Sequence, residues 1–292
     1  MPSPRDLRRR IKSVKNTSQI TKAMQMVAAS KMRKAQQGAL AGRPYAALMN
    51  TVLAEVTANI GDFKHPLLEK HNTGKRAVIL ISTDRGLCGA LNSNLMREAA
   101  RLDKDTTLFI CAGRKGTQFV ARTKRPLVAE FTYKDPPQFG EARAIAKFAQ
   151  DLFTKGEVDR VDVLFTRFVS TLVQKHELRP LLPIGEVQAV EAGMSGDRKG
   201  AALERTGVEY LFEPSADSVL GTLLPHYVNY LVFQMLLEAR ASEHSARMVA
   251  MKNATDNAAQ LIKDLTIEYN KMRQATITKE LLEIASAQMA TA

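Results

Sequence analysis

The sequence is poor in the residues that mark several classes of protein. Its 292 residues include no tryptophan and only two cysteines, Cys88 and Cys111, whose spacing fits neither a metal site nor a disulfide framework. Its longest apolar stretches fall far short of the roughly 18 residues that a membrane helix needs. The basic N-terminus lacks the apolar run of a secretory signal, so we expect no cleaved leader. These absences predict a chain that is soluble or peripheral to a membrane, in a reducing compartment.

The sequence also lacks a recognisable catalytic constellation. No HxxxH pair and no nucleophile motif accompanies the histidines, which are His65, His71, His176, His226 and His244. The segment Ser82 to Asn92 follows a predicted strand, where α/β domains often bind phosphates. Its Gly86-x-x-Gly89 spacing matches neither a dinucleotide fingerprint nor a phosphate-binding loop. We interpret the segment as a structural turn and both cysteines as small buried side chains, and we predict no catalytic residue, no cofactor and no metal.

Glycine and proline are absent from His226 to Ala292, and strong helix formers fill the stretch. This predicts one helix of roughly 100 Å, which must pack on another long helix. A coiled-coil seam with alternating spacings of three and four is formed by Val232, Met235, Ala239, Ser242, Ala246, Val249 and Asn253. Beyond Asn253 the stripe shifts register to Ile262, Leu265, Tyr269 and Met272.

The N-terminal stretch supplies the partner helix. Arg5 to Gln37 lacks glycine and proline. Its apolar residues recur at near-helical spacing and are Leu7, Ile11, Val14, Ile20, Met24, Val27 and Met32. We expect Gly38, Gly42 and Pro44 to loosen or kink this helix before it resumes from Tyr45 to Ile60. The two ends are therefore predicted to form a long antiparallel coiled coil.

The middle of the chain alternates strand-like and helical patterns. The strands are predicted at RAVILIS, TTLFICAG, PLVAEFTY and VDVLFTRF, with helices near 90–102, 114–123 and 140–155. The run STLVQKHELRPLLPI is expected to add an antiparallel edge strand, and residues 185–207 a mobile loop. The predicted fold is α/β, with a Rossmann-like central domain and terminal coiled-coil helices. The predicted segments are 1–60 for the N-terminal helix, 61–75 for a linker, 76–207 for the central domain and 208–292 for the C-terminal helix with a short lead-in.

Positive charge concentrates near the N-terminus. The net charge is +12, and residues 5–43 hold eleven Lys or Arg against one acid, Asp6. Nucleic acid, anionic lipid and acidic protein are all possible partners. No aromatic residues interleave with these bases and no recognition-helix module is present, which favours an acidic protein surface. A basic coiled-coil scaffold that binds nucleic acid and an α/β enzyme with helical extensions remain as alternatives.

The C-terminal end is unusually apolar for a free helix end. Its apolar residues are Leu281, Leu282, Ile284, Ala285, Ala287, Met289 and Ala290. An exposed apolar tip of this kind predicts a surrounding protein into which it fits.

Three segments resemble one known family along the whole chain. ITKAMQMVAASKMRKAQ, STDRGLCGALNSN and ARMVAMKNATDNAAQLIKDLTIEYNKMRQATITKELLEI are similar to the gamma subunit of the F-type ATP synthase, in its bacterial form. The resemblance implies a non-catalytic rotor shaft, present once per complex, that couples proton flow to ATP synthesis or hydrolysis. Implied partners are the alpha and beta subunits of the catalytic hexamer, the epsilon subunit and the membrane ring of c subunits, with no specific nucleic acid.

The resemblance also implies contact residues. The catalytic subunits would be contacted through Lys22, Met24, Arg247, Arg273, Gln274, Thr278 and Glu280. Tyr210 and Glu213 would contact the ring and the epsilon subunit. The chain lacks the inserted segment with a regulatory cysteine pair found in chloroplast relatives, so redox control of that kind is not expected. The implied location is the cytoplasmic side of a bacterial inner membrane, as a peripheral protein.

Overall fold

The computed structural model describes residues 3–42, 44–45, 48–49, 65–69, 71–184 and 215–291. The elements are α1 (Pro4–Ala41), β1 (Arg76–Ile81), α2 (Leu91–Arg101), β2 (Thr107–Ala112), α3 (Arg114–Arg122), β3 (Leu127–Phe131), α4 (Phe139–Thr154), β4 (Arg160–Phe168), β5 (Gln174–Leu182) and α5 (Ala216–Thr291). The predicted mobile loop, nearly all of the helix predicted to resume up to Ile60, and the predicted limits at 60 and 207 lie outside the described residues. The four predicted segments therefore stay predictions.

The central strands form one five-stranded sheet in the order β3-β2-β1-β4-β5. The first four strands are parallel, and β5 runs antiparallel to β4 at the edge. In the central strand β1, Ile79 pairs with Ile110 on one side and with Val163 on the other. Both faces of β1 are covered, which is why it reads as a continuous apolar run. The predicted strands, intervening helices and antiparallel edge strand are confirmed.

Helices cover the two faces of the sheet in separate layers. Ala77, Ile79 and Ile81 point to the layer formed by α4 and residues 220–239 of α5. Val78 and Leu80 point to the opposite layer, formed by α2 and α3. The alternation follows from the two-residue period of a strand.

The C-terminal helix begins ten residues earlier than predicted. Helix α5 starts at Ala216 and continues through Pro225, although proline lacks the amide hydrogen of a helical bond. Leu220 and Leu224 before the proline, and Val228 after it, are all buried in the central core. Burial of this apolar face on both sides of Pro225 outweighs the cost of the missing hydrogen bond. The prediction that the helix starts at His226 was therefore wrong.

The N-terminal helix includes the first of the three residues at which the sequence predicts loosening or a kink, and it ends just before the second. Ser3 and Asp6 cap its start through reciprocal hydrogen bonds, and Pro4 takes the first helical position. The helix passes through Gly38 and ends at Ala41, so Gly38 does not interrupt it. A Cβ atom at Gly38 would lie 3.7 Å from the Leu237 side chain, an ordinary van der Waals distance, so α1 and α5 pack against each other there with room for an alanine.

The chain divides into two compact units, which the two long helices share. One unit contains the stretch up to Ala29 and the stretch from Arg247 onward, and the other runs from Ser30 to Ala246. In the first unit, Arg8 lies over the Tyr269 ring at 6.0 Å, and the hydroxyls of Thr21 and Thr255 are 2.7 Å apart. Residue numbers rise along α1, from Arg8 to Thr21, while those of the contacting residues fall along α5, from Tyr269 to Thr255. The terminal helices therefore pair antiparallel.

The observed seam of this pair differs from the predicted one. Met24 and Ala29 on α1 and Ala254 on α5 are half-buried at the edges of the seam. The less exposed residues at regular spacing on α1 are Leu7, Ile11, Val14, Ser18, Thr21, Gln25 and Ala28; on α5 they are Met251, Thr255, Ala258, Ile262, Leu265, Tyr269 and Met272. Both series keep heptad spacing. The predicted stripe through Ile262, Leu265, Tyr269 and Met272 is confirmed. Ile20 and Val27 are instead 60% and 55% exposed, because the polar residues Ser18, Thr21 and Gln25 take the seam positions.

The first part of the predicted α5 seam packs elsewhere. Val232, Met235 and Ala239 join the central core with the sheet, and Asn253 is exposed. Every residue from Met235 to Ser245 is buried, so this stretch has no narrow seam. A three-and-four spacing cannot distinguish a coiled coil from a helix surrounded by a domain. None of the helices in the described part of the chain combines the length and hydrophobicity needed to span a bilayer.

Candidate functional site

Helix α5 occupies the place where doubly wound sheets bind their ligands. Such sheets bind at the carboxyl ends of the strands where the strand order reverses, which here lies between β1 and β4. The hydroxyl of Ser242 on α5 donates to the carbonyl oxygen of Thr166 on β4 at 2.9 Å. Arg240, two residues earlier, reaches Asp84 in the turn after β1. A segment of the chain itself thus fills this crevice.

Four residues form the Arg240 cluster, namely Asp84, Tyr133, Arg240 and Glu243. Arg240 donates to the Glu243 carboxylate at 2.6 Å and to the Tyr133 carbonyl oxygen at 3.0 Å. Its Nη2 atom is 3.4 Å from Asp84 Oδ2. The Tyr133 hydroxyl donates to the Ser82 carbonyl oxygen at 3.1 Å. One guanidinium therefore connects α5 to the turn after β1 and to the loop after β3.

Tyr133, Arg240 and Glu243 are buried, Asp84 is partly exposed, and the Arg240 cation lies between the two carboxylates. Burial alone would lower the pKa of the Arg240 guanidinium, but Tyr133, Glu243 and Asp84 together raise it above its ordinary value. Burial also raises the pKa of the Tyr133 hydroxyl, which stays protonated and can keep donating to Ser82. A buried cation with two carboxylates and a carbonyl around it holds a fixed orientation.

A second polar group lies beside the Arg240 cluster and includes α1. Lys31 on α1 is 2.7 Å from one carboxylate oxygen of Asp135, and His244 on α5 is 3.1 Å from the other. Burial would raise the pKa of the Asp135 carboxyl, but the hydrogen bonds from Lys31 and His244 lower it below its ordinary value. Asp135, in the loop after β3, thus bridges both long helices.

The β4–β5 hairpin is also bonded to α5. The Ser245 hydroxyl donates to the Thr171 carbonyl oxygen at 2.6 Å, and the Gln174 side chain reaches the same hydroxyl at 3.4 Å. From Arg240 to Ser245, α5 is therefore bonded to the turn after β1, the loop after β3 and the hairpin. It cannot rotate about its axis relative to the sheet without breaking several buried hydrogen bonds.

Internal hydrogen bonds hold the turn from Ser82 to Asn92, which the sequence predicts to be structural. Its Asn92 side chain donates to the Thr83 hydroxyl at 2.7 Å, and Asp84 accepts from the amide of Arg114 at 3.1 Å. Cys88 and Cys111 are both buried and form no disulfide, which confirms the prediction that they are small buried side chains. Burial raises the pKa of the Cys111 thiol to about 12, so it is not a reactive thiolate at neutral pH.

The predicted contact residues are mostly solvent-accessible side chains of the paired terminal helices. Lys22, Arg273, Gln274, Thr278 and Glu280 are exposed, whereas Met24 and Arg247 are half-buried. Thr278 donates to the Gln274 carbonyl oxygen within the helix at 3.0 Å. Tyr210 and Glu213 lie outside the described residues. The predicted apolar tip is exposed at Leu281, Leu282 and Ile284, between 59% and 65%.

Sequence reasoning missed the Arg240 cluster. The available signal was the run Glu238 to Ser245, in which six polar or charged residues interrupt an apolar helix next to the predicted core. All of them are buried. Polar residues at core positions indicate specific partners, but the sequence does not say that these partners are Asp84, Tyr133 and Asp135.

Comparisons with known proteins agree along the whole chain. A family model described as ATP synthase matches residues 3–291. The chain is 51% identical to the ATP synthase gamma chain of Opitutus terrae, over all of both chains. It is 47% identical to that of Roseiflexus castenholzii, covering 100% of this chain and 99% of the relative.

Solved structures share the fold. A chain in the central stalk and c-ring structure of the Tetrahymena thermophila mitochondrial ATP synthase is 26% identical, with a TM-score of 0.58, covering 80% of this chain and 99% of that one. A chain in the OSCP/F1/c-ring structure of the Euglena gracilis mitochondrial ATP synthase aligns with a TM-score of 0.67 at 20% identity, covering 99% and 94%. The second likeness concerns the fold alone.

Proposed function

The chain belongs to the ATP synthase gamma chain family, and we propose that it couples proton flow through a membrane rotor ring to ATP synthesis or hydrolysis in a catalytic hexamer. As a gamma chain it is a non-catalytic subunit of the central stalk. The alternative of a nucleic-acid scaffold receives no support from these comparisons. The enzyme alternative is disfavoured because helix α5 fills the crevice in which a ligand of the sheet would bind.

The observation that carries the proposal is the contrast between two parts of one helix. From Arg240 to Ser245, α5 is fixed to the central domain by buried hydrogen bonds and ion pairs. From Arg273 onward, the described side chains of the same helix are all exposed, both polar and apolar. A helix anchored at one part and exposed at another is suited to transmit force from a domain to surrounding subunits.

The partners are proposed as the alpha and beta subunits around the terminal helices, with the epsilon subunit and the ring of c subunits against Tyr210 and Glu213. One copy of the chain serves each complex. Arg273, Gln274, Thr278 and Glu280 would bond reversibly to polar loops of the catalytic subunits, together with Arg247, Lys22 and Met24 on lower turns. The eleven bases of residues 5–43 suit acidic neighbours. The proposed location is the cytoplasmic face of a bacterial inner membrane.

The mechanism follows from asymmetry. One shaft makes different contacts with three otherwise equivalent catalytic sites, so the sites differ in nucleotide affinity. Rotation of the shaft exchanges these affinities in turn. The shaft residues take part in no bond rearrangement; they only change which catalytic conformation is favoured.

Rotation can be tested directly on the assembled complex. Cys88 and Cys111 are buried, so a single accessible cysteine introduced by Lys104→Cys, in the exposed loop after α2, attaches a bead selectively. With the hexamer fixed to a surface, ATP should drive stepwise rotation of the bead in one direction. ATP hydrolysis at the normal rate with a stationary, singly attached bead would contradict the proposal.

The contact residues are tested by matched substitutions on one helix. Arg273→Ala and Glu280→Ala should lower coupled ATP synthesis by roughly tenfold if each removes about 1.4 kcal/mol of contact with a catalytic subunit. Lys271→Ala, also exposed on α5 and outside the predicted set, is the control. Equal effects of all three substitutions would contradict the assignment of these residues.

A further inference from the structure

A groove separates α2 from α3 on the face of the sheet opposite α4 and α5. Its volume is about 550 Å³. Met96 and Phe119 supply apolar lining, and Arg97, Lys115 and Arg122 supply positive charge. No carboxylate is among the lining residues. The groove therefore combines an apolar surface with three cations. Of its lining residues, Asn92 also belongs to the turn described above, and the others lie outside the Arg240 cluster and the predicted contact residues.

The arginines of the groove differ from their neighbours in having no internal role. Arg101 pairs with Glu98 at 2.8 Å. Arg125 donates to the carbonyl oxygens of Leu102 and Ala100, at 2.9 and 2.8 Å. Among the described residues, the side chains of Arg97 and Arg122 have neither a hydrogen-bond partner nor an ion-pair partner, and both are exposed. Two guanidinium groups are therefore free to bind an anionic group in the groove.

The groove is not built to bind phosphate through the start of α3. Amide groups at a helix N-terminus are what usually hold a phosphate. Here the amide of Arg114 donates to Asp84 at 3.1 Å, that of Lys115 to the Thr83 carbonyl oxygen at 3.0 Å, and that of Gly116 to the Ser82 hydroxyl at 2.8 Å. Recognition in the groove is thus left to side chains.

We propose that this groove binds an acidic, amphipathic segment of a partner protein. Its carboxylates pair with Arg97 and Arg122, whose planar guanidinium groups match carboxylates with two parallel hydrogen bonds. An apolar side chain of the segment contacts Met96 and Phe119. The layer of α2 and α3 covers the face of the sheet opposite residues 220–239 of α5, so this segment binds without displacing that part of α5. The inference adds a binding surface to the rotor function and does not depend on it.

The experiment uses the full chain in its native complex. A photo-crosslinking amino acid at Gln118, an exposed lining residue, is activated in the purified complex, and the attached peptide is identified by mass spectrometry. We expect an attached segment rich in Asp and Glu. Arg97→Glu together with Arg122→Glu should lower the yield by roughly fivefold or more, since attraction becomes repulsion. Arg143→Glu, an exposed arginine on α4, is the matched control and should leave the yield unchanged.

Three outcomes would overturn the proposal. They are no attached polypeptide, an attached segment without acidic residues, or a yield unchanged by the double substitution while the thermal unfolding of the variants equals that of the parent. Loss of the product in sodium phosphate but not in sodium chloride of equal ionic strength would assign the groove to a phosphate-bearing ligand instead. Failure of rotation in the bead experiment would leave this result unaffected, so the two proposals fail separately.

Discussion

The Arg240 guanidinium carbon lies 4.1 Å from the centre of the Tyr133 ring, and the same guanidinium donates to the Tyr133 carbonyl oxygen at 3.0 Å. One residue of α5 therefore contacts both the ring and the backbone of one residue in the loop after β3. Cation–π contact and a charge-assisted hydrogen bond act together, away from water. This contact, with Glu243 and Asp84, fixes α5 on the sheet.

Arg240→Met should strongly destabilise the central domain. It leaves Glu243 and Asp84 without their shared cation, and losing one partner of a buried ion pair costs about 3 to 5 kcal/mol. Arg240→Lys keeps the charge but cannot span the same partners, so we expect an intermediate loss. Urea unfolding followed by tyrosine fluorescence measures both. The control Arg143→Met, at an exposed position, should change the free energy of unfolding by about 0.5 kcal/mol or less. If it destabilised the protein as much as Arg240→Met does, the Arg240 cluster would not be a specific source of stability.

Leu265→Ala should loosen the paired terminal helices, and Leu261→Ala should not. Leu265 is 5% exposed in the seam, whereas Leu261, one turn earlier, is 40% exposed. Truncating a buried leucine costs about 2 to 5 kcal/mol. Hydrogen exchange of amides in residues 250–272 measures the opening of the pair in the intact chain. Similar protection in both variants would place the seam on another face of α5.

Gly113→Ala should disrupt the junction between β2 and α3. Gly113 has a φ of 108°, and a Cβ atom there would lie 2.2 Å from the Ser82 carbonyl oxygen. Gly140, in the first turn of α4, has open space around the same position. Gly140→Ala should therefore stabilise the protein by about 0.4 to 1 kcal/mol through reduced freedom of the unfolded chain. Thermal unfolding of the two variants should shift in opposite directions; a shift in the same direction would refute the geometric argument.

Asp162 should make stability fall as pH rises above the ordinary aspartate range. Burial raises the pKa of its carboxyl although Arg160 and Arg76 lie 3.4 and 3.8 Å away. Below about pH 3.9 the carboxyl is protonated in both the folded and the unfolded chain, so it does not make the free energy of unfolding depend on pH there. As pH rises from there through the raised folded pKa, the unfolded state loses its proton first and becomes favoured. Asp162→Asn should lack this fall, as urea unfolding from pH 4 to 7 would show; parallel profiles for both proteins would contradict the raised pKa.

Much of the fold was determined by apolar residues that recur every two residues in strands and every three to four residues in helices. Strand β1 was predictable because RAVILI is apolar on both faces and turn residues flank it. The edge strand β5 was predictable because its short connection to β4 permits only an antiparallel return. The exposed tip at Leu281 and Leu282 follows from apolar residues on most of a helix end.

Part of the predicted seams was wrong for a physical reason. Ile20 and Val27 are more apolar than Thr21 and Ala28, yet the less apolar pair lies in the seam. Which stripe of a helix is buried depends on the facing helix, here on residues such as Thr255 and Ala258, more than 200 positions away. Periodicity in one helix does not contain that information.

The sequence by itself determined that two long helices flank an α/β sheet, because helix propensity and alternating apolar residues act over short distances along the chain. The tertiary structure decided that α5 continues through Pro225, that its stretch from Met235 to Ser245 is buried on all sides, and that Arg240 fills the crevice of the sheet. These features depend on groups far apart in sequence. The guanidinium of residue 240 is stable away from water only because folding brings it to Asp84 and Tyr133.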